Sequence, residues 1–230
     1  MQAMRLMTVS AAVATATAVM LASLTTCSHA QVVPCDSPVQ WEAGYAMFNP
    51  REGHEFTVHG RYSYDKLNLR KRRYEEVDDI MHPDYQFLEV IELFKDEKRY
   101  VIDMRTRLCH EEPLYHPDEK NNGFHDHDVP SGARLDGVRV LGCKDVEQGY
   151  LNISQWSYRY VDRQYNWAGS FTLDKCIPTR SDAFNSTTFG LIFEEFYDVV
   201  PGISDPNVFI PPAQCIGQTN KIYRHGRTLR

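Results

Sequence analysis

The sequence has no Gly-x-Ser-x-Gly elbow, no Walker loop and no dinucleotide fingerprint, so the catalytic and nucleotide sites that announce themselves locally are missing. A triad assembled in space needs no such motif, and the absence narrows the enzyme reading without closing it. It has no Cys-x-x-Cys, which removes zinc-ribbon and thioredoxin-type chemistry. No Gly/Ser-rich or charged linker divides the chain, and no repeat or low-complexity tract is visible. Basic charge is in deficit, 25 Lys and Arg against 31 Asp and Glu, which argues against nucleic acid as a general partner.

Long apolar runs are also scarce, and the one present lies at the start. Arg5 precedes an almost uncharged stretch from Leu6 to Leu24, and Ser28-His29-Ala30 places small residues at the −3 and −1 positions of a cleavage site. We read residues 1–30 as a signal peptide. A single-pass anchor is the competing reading, disfavoured because the cleavage site follows directly and no second apolar stretch appears. The remaining chain of about 200 residues is one domain by size. Export gives meaning to two sequons, Asn152-Ile153-Ser154 and Asn185-Ser186-Thr187, as glycosylated surface positions.

Cys27 leaves with the leader, and Cys35, Cys109, Cys143, Cys176 and Cys215 remain, an odd set in which at least one thiol is unpaired or pairs with another chain. From Glu55 onward the period is two. Phe56, Val58, Gly60, Tyr62 and Tyr64 alternate with polar residues, Asp65 to Asn68 makes a turn, and Leu69 to Val77 returns as a second strand. Phe87–Phe94 and Tyr100–Cys109 form a second hairpin around Lys95–Lys98. Val138–Leu141, Gln148–Tyr158, Trp167–Cys176 and Thr188–Val199 are further strands, with a helix over 181–197 the weaker alternative. This spacing predicts an all-β sandwich or barrel. Asp205 to Cys215, with Pro206, Pro211 and Pro212, reads as a stiff extended strap.

Pro34-Cys35, Arg61 to Asn68, the Leu93–Asp96 to Ile102-Asp103 hairpin and Gly202 to Pro212 together resemble the ependymin-related proteins, over Cys35 to Cys215. The resemblance implies a secreted or lysosomal glycoprotein, usually a homodimer. Its implied fold is two stacked antiparallel sheets forming a half-open barrel around an apolar pocket, similar to bacterial lipoprotein carriers. It further implies binding of lipid or another hydrophobic ligand, with calcium association, cell adhesion and matrix partners. By position it pairs Cys35 with Cys176 and Cys109 with Cys215. A third bridge of vertebrate members would need cysteines near His82 and after Cys215, and both are missing. Cys143 has no counterpart and is either a buried free thiol or an intermolecular link. The domain then spans 31–215, followed by a basic tail at 216–230.

The most metal-like cluster is His125-Asp126-His127-Asp128, where residues two apart in an extended segment place both imidazoles on one side; the bland reading is a solvated loop. His110-Glu111 starts like a zincin motif, but Leu114 stands where the second histidine belongs. Arg70-Lys71-Arg72-Arg73 is a heparin-binding or processing site, or more simply the exposed basic part of a strand. The expected function is ligand binding without catalysis and with no resident cofactor, calcium excepted. The candidate wall of the pocket is Tyr62, Tyr64, Leu93, Ile102, Ile153, Trp156, Trp167, Phe171, Ile192 and Phe193, each of which serves equally well as core. A matrix glycoprotein with no pocket and a hydrolase are the alternatives.

Overall fold

Alternating aromatic and polar residues drive most of the chain into strands. The computed structural model describes residues 32–50, 56–79, 82–114, 123–147, 149–161, 165–185 and 190–215; the expected leader with Cys27, the expected tail at 216–230, and Ser186 and Thr187 of the second sequon lie outside them. The strands are β1 (Gln40–Asn49), β2 (Phe56–Asp65), β3 (Arg70–Asp79), β4 (His82–Leu93), β5 (Lys98–Asp103), β6 (Cys109–Pro113), β7 (Arg134–Gly142), β8 (Tyr150–Tyr160), β9 (Tyr165–Thr172), β10 (Pro178–Asn185) and β11 (Gly190–Pro201). The all-β antiparallel class is therefore as expected. The strands join in one antiparallel sheet of order β6-β5-β4-β3-β2-β1-β11-β10-β9-β8-β7, so the two stacked layers expected are parts of a single continuous ladder. Its two ends, β6 and β7, are not paired with each other, which leaves the sheet open.

The central strand is one that the sequence reading does not identify. In β1, Trp41, Ala43, Tyr45 and Met47 alternate with Gln40, Glu42 and Phe48, and the strand pairs with β2 on one side and β11 on the other. Register then divides the sheet into two faces. The inner face carries Trp41, Tyr45, Tyr62, Tyr64, Val58, Val77 and Phe196, packed with Phe94, Leu114 and Phe124. The outer face of β4–β6 carries Ile91, Tyr100, Ile102 and Cys109, packed with Cys215. At Gly60, opposite Tyr45, a Cβ would lie 1.8 Å from the Tyr74 carbonyl oxygen, so only glycine lets β2 and β3 approach this closely.

Two expected elements are corrected. The strand drawn from Tyr100 to Cys109 breaks after Asp103, whose Oδ1 accepts from the Arg105 and Thr106 amides and folds the chain into a turn. The strand drawn to Cys176 ends at Thr172, because Cys176 has φ 52° and its amide donates to the Thr172 carbonyl. Over 181–197 the described residues belong to strands β10 and β11, the latter where a strand was expected, and not to the helical alternative.

The carboxyl-terminal strap is not an extended rod. Asp205 caps a short 3-10 turn at Pro206–Phe209, where the fixed φ of Pro206 suits the first helical position, and a second turn spans Ala213–Cys215. Phe209 is buried, the Arg70 guanidinium lies 4.2 Å from its ring centroid, and Cys215 is bonded to Cys109. The strap thus seals the outer core. Cys35 is bonded to Cys176, so both pairings implied by the resemblance are present. Cys143 is a free thiol and exposed, against the buried reading.

Candidate functional site

Strand pleating puts Trp41 (β1), Tyr62 and Tyr64 (β2) and Phe196 (β11) side by side, with the Trp41 centroid 5.2 Å from each of the other three. Tyr45 extends the row, 5.5 Å from Tyr62. Over this aromatic wall lies the segment 123–129. His127 stands edge-on to Trp41, Tyr62, Tyr64 and Phe196 at 5.0–5.5 Å, and its Nε2 is 2.9 Å from the Tyr62 hydroxyl. Phe124 stacks on Tyr64 at 5.6 Å.

The segment is pinned by polar groups at both ends. Asp128 accepts from the Ser37 amide (2.9 Å) and hydroxyl (3.1 Å) and pairs with Lys66, while the Val129 amide donates to the Cys35 carbonyl at 3.0 Å. The Lys71 ammonium donates to the His125 carbonyl at 2.8 Å and sits 4.7 Å from the Phe124 ring centroid. His125 is exposed while His127 is enclosed by rings, so the two imidazoles do not form the pair that the alternation suggested. Among the described residues, no group of three or more His, Cys, Asp or Glu is arranged to hold a metal ion.

Residues 70–73 alternate between faces, which corrects the reading of an exposed basic strand. Arg70 and Arg72 point outward to Asp65 and Glu89, whereas Lys71 and Arg73 point inward. The Arg73 guanidinium contacts Glu75 at 3.4 Å and Glu92 at 3.5 Å, Arg99 approaches Glu92 at 3.7 Å, and the Tyr45 hydroxyl donates to Glu194 at 3.2 Å. The inner face of β3–β5 is therefore ionic, although β1–β2 beside it is aromatic. Among the described residues, Trp41 Nε1, Arg73 Nε, Glu75 Oε1 and Arg99 Nε on the inner face are buried polar atoms with no hydrogen-bond partner, and such groups are normally satisfied by water or a ligand.

Burial governs the protonation of these groups. It lowers Lys71 to about 8, raises Glu194, and pushes the Tyr45 and Tyr62 hydroxyls well up. Burial also holds His127 well below the ordinary imidazole value, and the nearby charges of Lys71 and His125 lower it further. The sign follows directly. The unfolded state takes up the proton first, so the stability from neutral His127 is full above about pH 6.5 and is lost as pH falls toward the folded value. Each pH unit in that window costs up to about 1.4 kcal/mol. Denaturant midpoints at pH 7.5 and 5.0 for the protein and for His127→Gln test this, because Glu194, whose raised value acts in the opposite direction, is common to both. Equal pH slopes would exclude the imidazole as the cause.

Register separates the ten candidate wall residues. Tyr62, Tyr64, Trp156, Trp167, Phe171 and Ile192 lie on the inner face, and Leu93, Ile102, Ile153 and Phe193 lie on the outer one. Adjacent positions such as Ile192 and Phe193 cannot share a wall, because successive side chains on a strand point oppositely. Tyr62, Tyr64, Trp156 and Phe171 are buried, Leu93 and Ile102 belong to the outer core, and Phe193 stacks on exposed Phe48 at 6.4 Å beside an outer groove of ≈ 300 Å³. The sequence reading missed Trp41, Tyr45, Phe124 and Phe196, together with the inward charges, and took His127 for half of a metal-like pair where it packs on the aromatic wall. The period of two in β1 and the alternation inside 70–73 are the signals that carry them.

The inner face opens toward β7. Leu135 and Val138 there are 36% and 42% exposed, and Trp167 is half-buried with its Nε1 donating to the Ser181 hydroxyl at 3.2 Å. Leu135 lies opposite Trp156 and Trp167 opposite Tyr158, while Ser154, its hydroxyl accepting from Trp156 Nε1, stands between Phe171 and Val138.

Comparison with known proteins agrees with the sequence resemblance. The chain is 31% identical over 183 residues to mammalian ependymin-related protein 1 of Rattus norvegicus, covering 79% of this chain and 76% of the relative. It is 27% identical over 192 residues to ependymin of Notemigonus crysoleucas, covering 83% and 82%. Among solved structures it is similar to an uncharacterised conserved protein from Thermus thermophilus (TM-score 0.44, 10% identity, 77% of this chain and 88% of that one). It is also similar to a LolA superfamily protein from Nitrosomonas europaea (TM-score 0.34, 8% identity, 75% and 90%). The Ependymin family model matches residues 82–215, from β4 through the carboxyl-terminal strap, and with these relatives it establishes that the chain belongs to the ependymin family.

Proposed function

We propose that this chain is a secreted glycoprotein that binds a lipid or other hydrophobic ligand along its inner sheet face and has no catalytic role. One observation carries this reading: the apolar side chains of the inner face extend from enclosed Trp156 and Phe171 to Trp167, Leu135 and Val138, which remain open to solvent. Exposed apolar surface continuous with a core is what a ligand groove supplies. Two intact disulfides fit an oxidising compartment, and among the described residues no helix is long and apolar enough to cross a membrane. A matrix glycoprotein without a pocket is the second reading, favoured by the way His127 and Phe124 fill the wall at Trp41.

The two faces give the test an internal control. A fluorescent fatty-acyl probe is expected to bind saturably and to be displaced by phospholipid. Trp167→Asp should weaken binding at least about tenfold, equal to 1.4 kcal/mol, while Phe193→Asp on the outer face leaves it unchanged. Absence of saturable binding by the wild type would overturn the carrier reading in favour of the matrix one.

A further inference from the structure

The first sequon lies in a place that specifies what its sugar does. In β8, Tyr150 and Asn152 are two residues apart and so share a face. Both are exposed, Tyr150 at 46%. The residue paired with Tyr150 across β7 is Gly142, which has no side chain to cover the ring. On the other side the Leu173 amide donates to the Asn152 carbonyl at 3.0 Å, and the Leu173 side chain is 44% exposed. Tyr150, Leu151, Asn152, Leu173 and Asp174 together line a groove of ≈ 480 Å³. Its apolar members Tyr150, Leu151 and Leu173 are all exposed among the described residues.

We propose that this groove is the seat of the chain's own Asn152 glycan, with the C–H face of the first N-acetylglucosamine stacked on the Tyr150 ring and its acetyl methyl against Leu173. The inference rests on reading Asn152 as modified. The sugar is the occupant that fits because its attachment atom is itself part of the wall, and one face of the pyranose presents axial C–H groups suited to an aromatic surface. In the transfer, the Asn152 amide nitrogen bonds to the anomeric carbon of a lipid-diphosphate oligosaccharide. The lipid diphosphate leaves, and the amide loses a proton to the transferase base. This must precede folding of β8. The Ser154 hydroxyl that completes the sequon is buried, accepts from Trp156 Nε1 at 2.9 Å and lies 3.4 Å from the Phe171 carbonyl oxygen, out of reach of any enzyme.

The test uses the protein exported from a eukaryotic host, trimmed enzymatically to a single N-acetylglucosamine at each site, and compared with Asn152→Gln. The sugar is expected to raise Tm by about 2–4 °C, and Tyr150→Ala to abolish that difference. The acetyl methyl proton of the attached sugar should shift upfield in the folded wild type through the Tyr150 ring current, a readout that survives if Tyr150→Ala fails to fold. Mass spectrometry showing Asn152 unmodified would overturn the inference together with its premise. A modified Asn152 whose Tm increment persists in Tyr150→Ala, or whose methyl resonates at the free-sugar position, would overturn the inference alone.

Discussion

Replacing Cys109 and Cys215 together by serine should destabilise the protein by about 5 kcal/mol, the chain-entropy value for a loop of roughly 100 residues. The separation is 106 residues, and Cys215 is fully buried against Cys109, Ile102 and Tyr100. Without the bond, the strap is held over the outer core by its two short turns, the buried Phe209 ring and its Arg70 contact. Since a domain has about 5–15 kcal/mol in total, the double variant should unfold at a far lower denaturant concentration or fail to be exported folded. Guanidinium titration under non-reducing conditions measures it. A loss below about 1 kcal/mol would mean that the strap is held by its own packing, and that the cross-link adds little.

The second large effect is electrostatic. Arg73→Met should cost about 3 kcal/mol, because it removes the cation beside Glu75 and leaves Glu92 with the more distant Arg99 at 3.7 Å. This is the lower end of the range for breaking a buried pair, since Arg73 and Glu92 keep 19% and 14% exposure. Adding Glu92→Leu should recover part of the loss, as removing both partners leaves less uncompensated charge. Urea midpoints of the single and double variants give the coupling. A single variant as stable as wild type would show that water already screens the site.

Strand content was legible because aromatic residues alternate with polar ones in β2 and β9 and aromatic and branched residues are dense in β4 and β8, and the charged tips at Asp65–Asn68 and Lys95–Lys98 fall where the chain turns. The strand β1 was not, since the positions that alternate with Trp41, Ala43, Tyr45 and Met47 include apolar Gly44, Ala46 and Phe48, which blurs its period of two. Inside versus outside failed for a different reason. Period two assigns residues to a face within one strand, but only cross-strand register says which faces agree, so Ile102 and Trp156 looked equivalent and are not. The charged interior was hidden because arginine and glutamate are rarely buried, and a basic run invites a surface reading. The capping turn at Asp205 was lost to three prolines, which suggested extension although one of them begins a 3-10 turn.

The single ladder has a kinetic consequence. Apart from one seam, every strand pairs with its sequence neighbour, so the chain consists of two runs of hairpins, β1–β6 and β7–β11, whose pairings are local. The seam joins Tyr45 to Phe196 and carries most of the central aromatic wall. At about 5–20 residues per second, roughly 8–30 s of synthesis separate β1 from its partner. During that interval the free edge of β1, with Trp41 and Tyr45 beside it, is the most adhesive surface of the nascent chain. The amino-terminal run can form early, but its core cannot close until β11 has emerged, so completion of the fold is timed by the emergence of that strand rather than by hairpin formation.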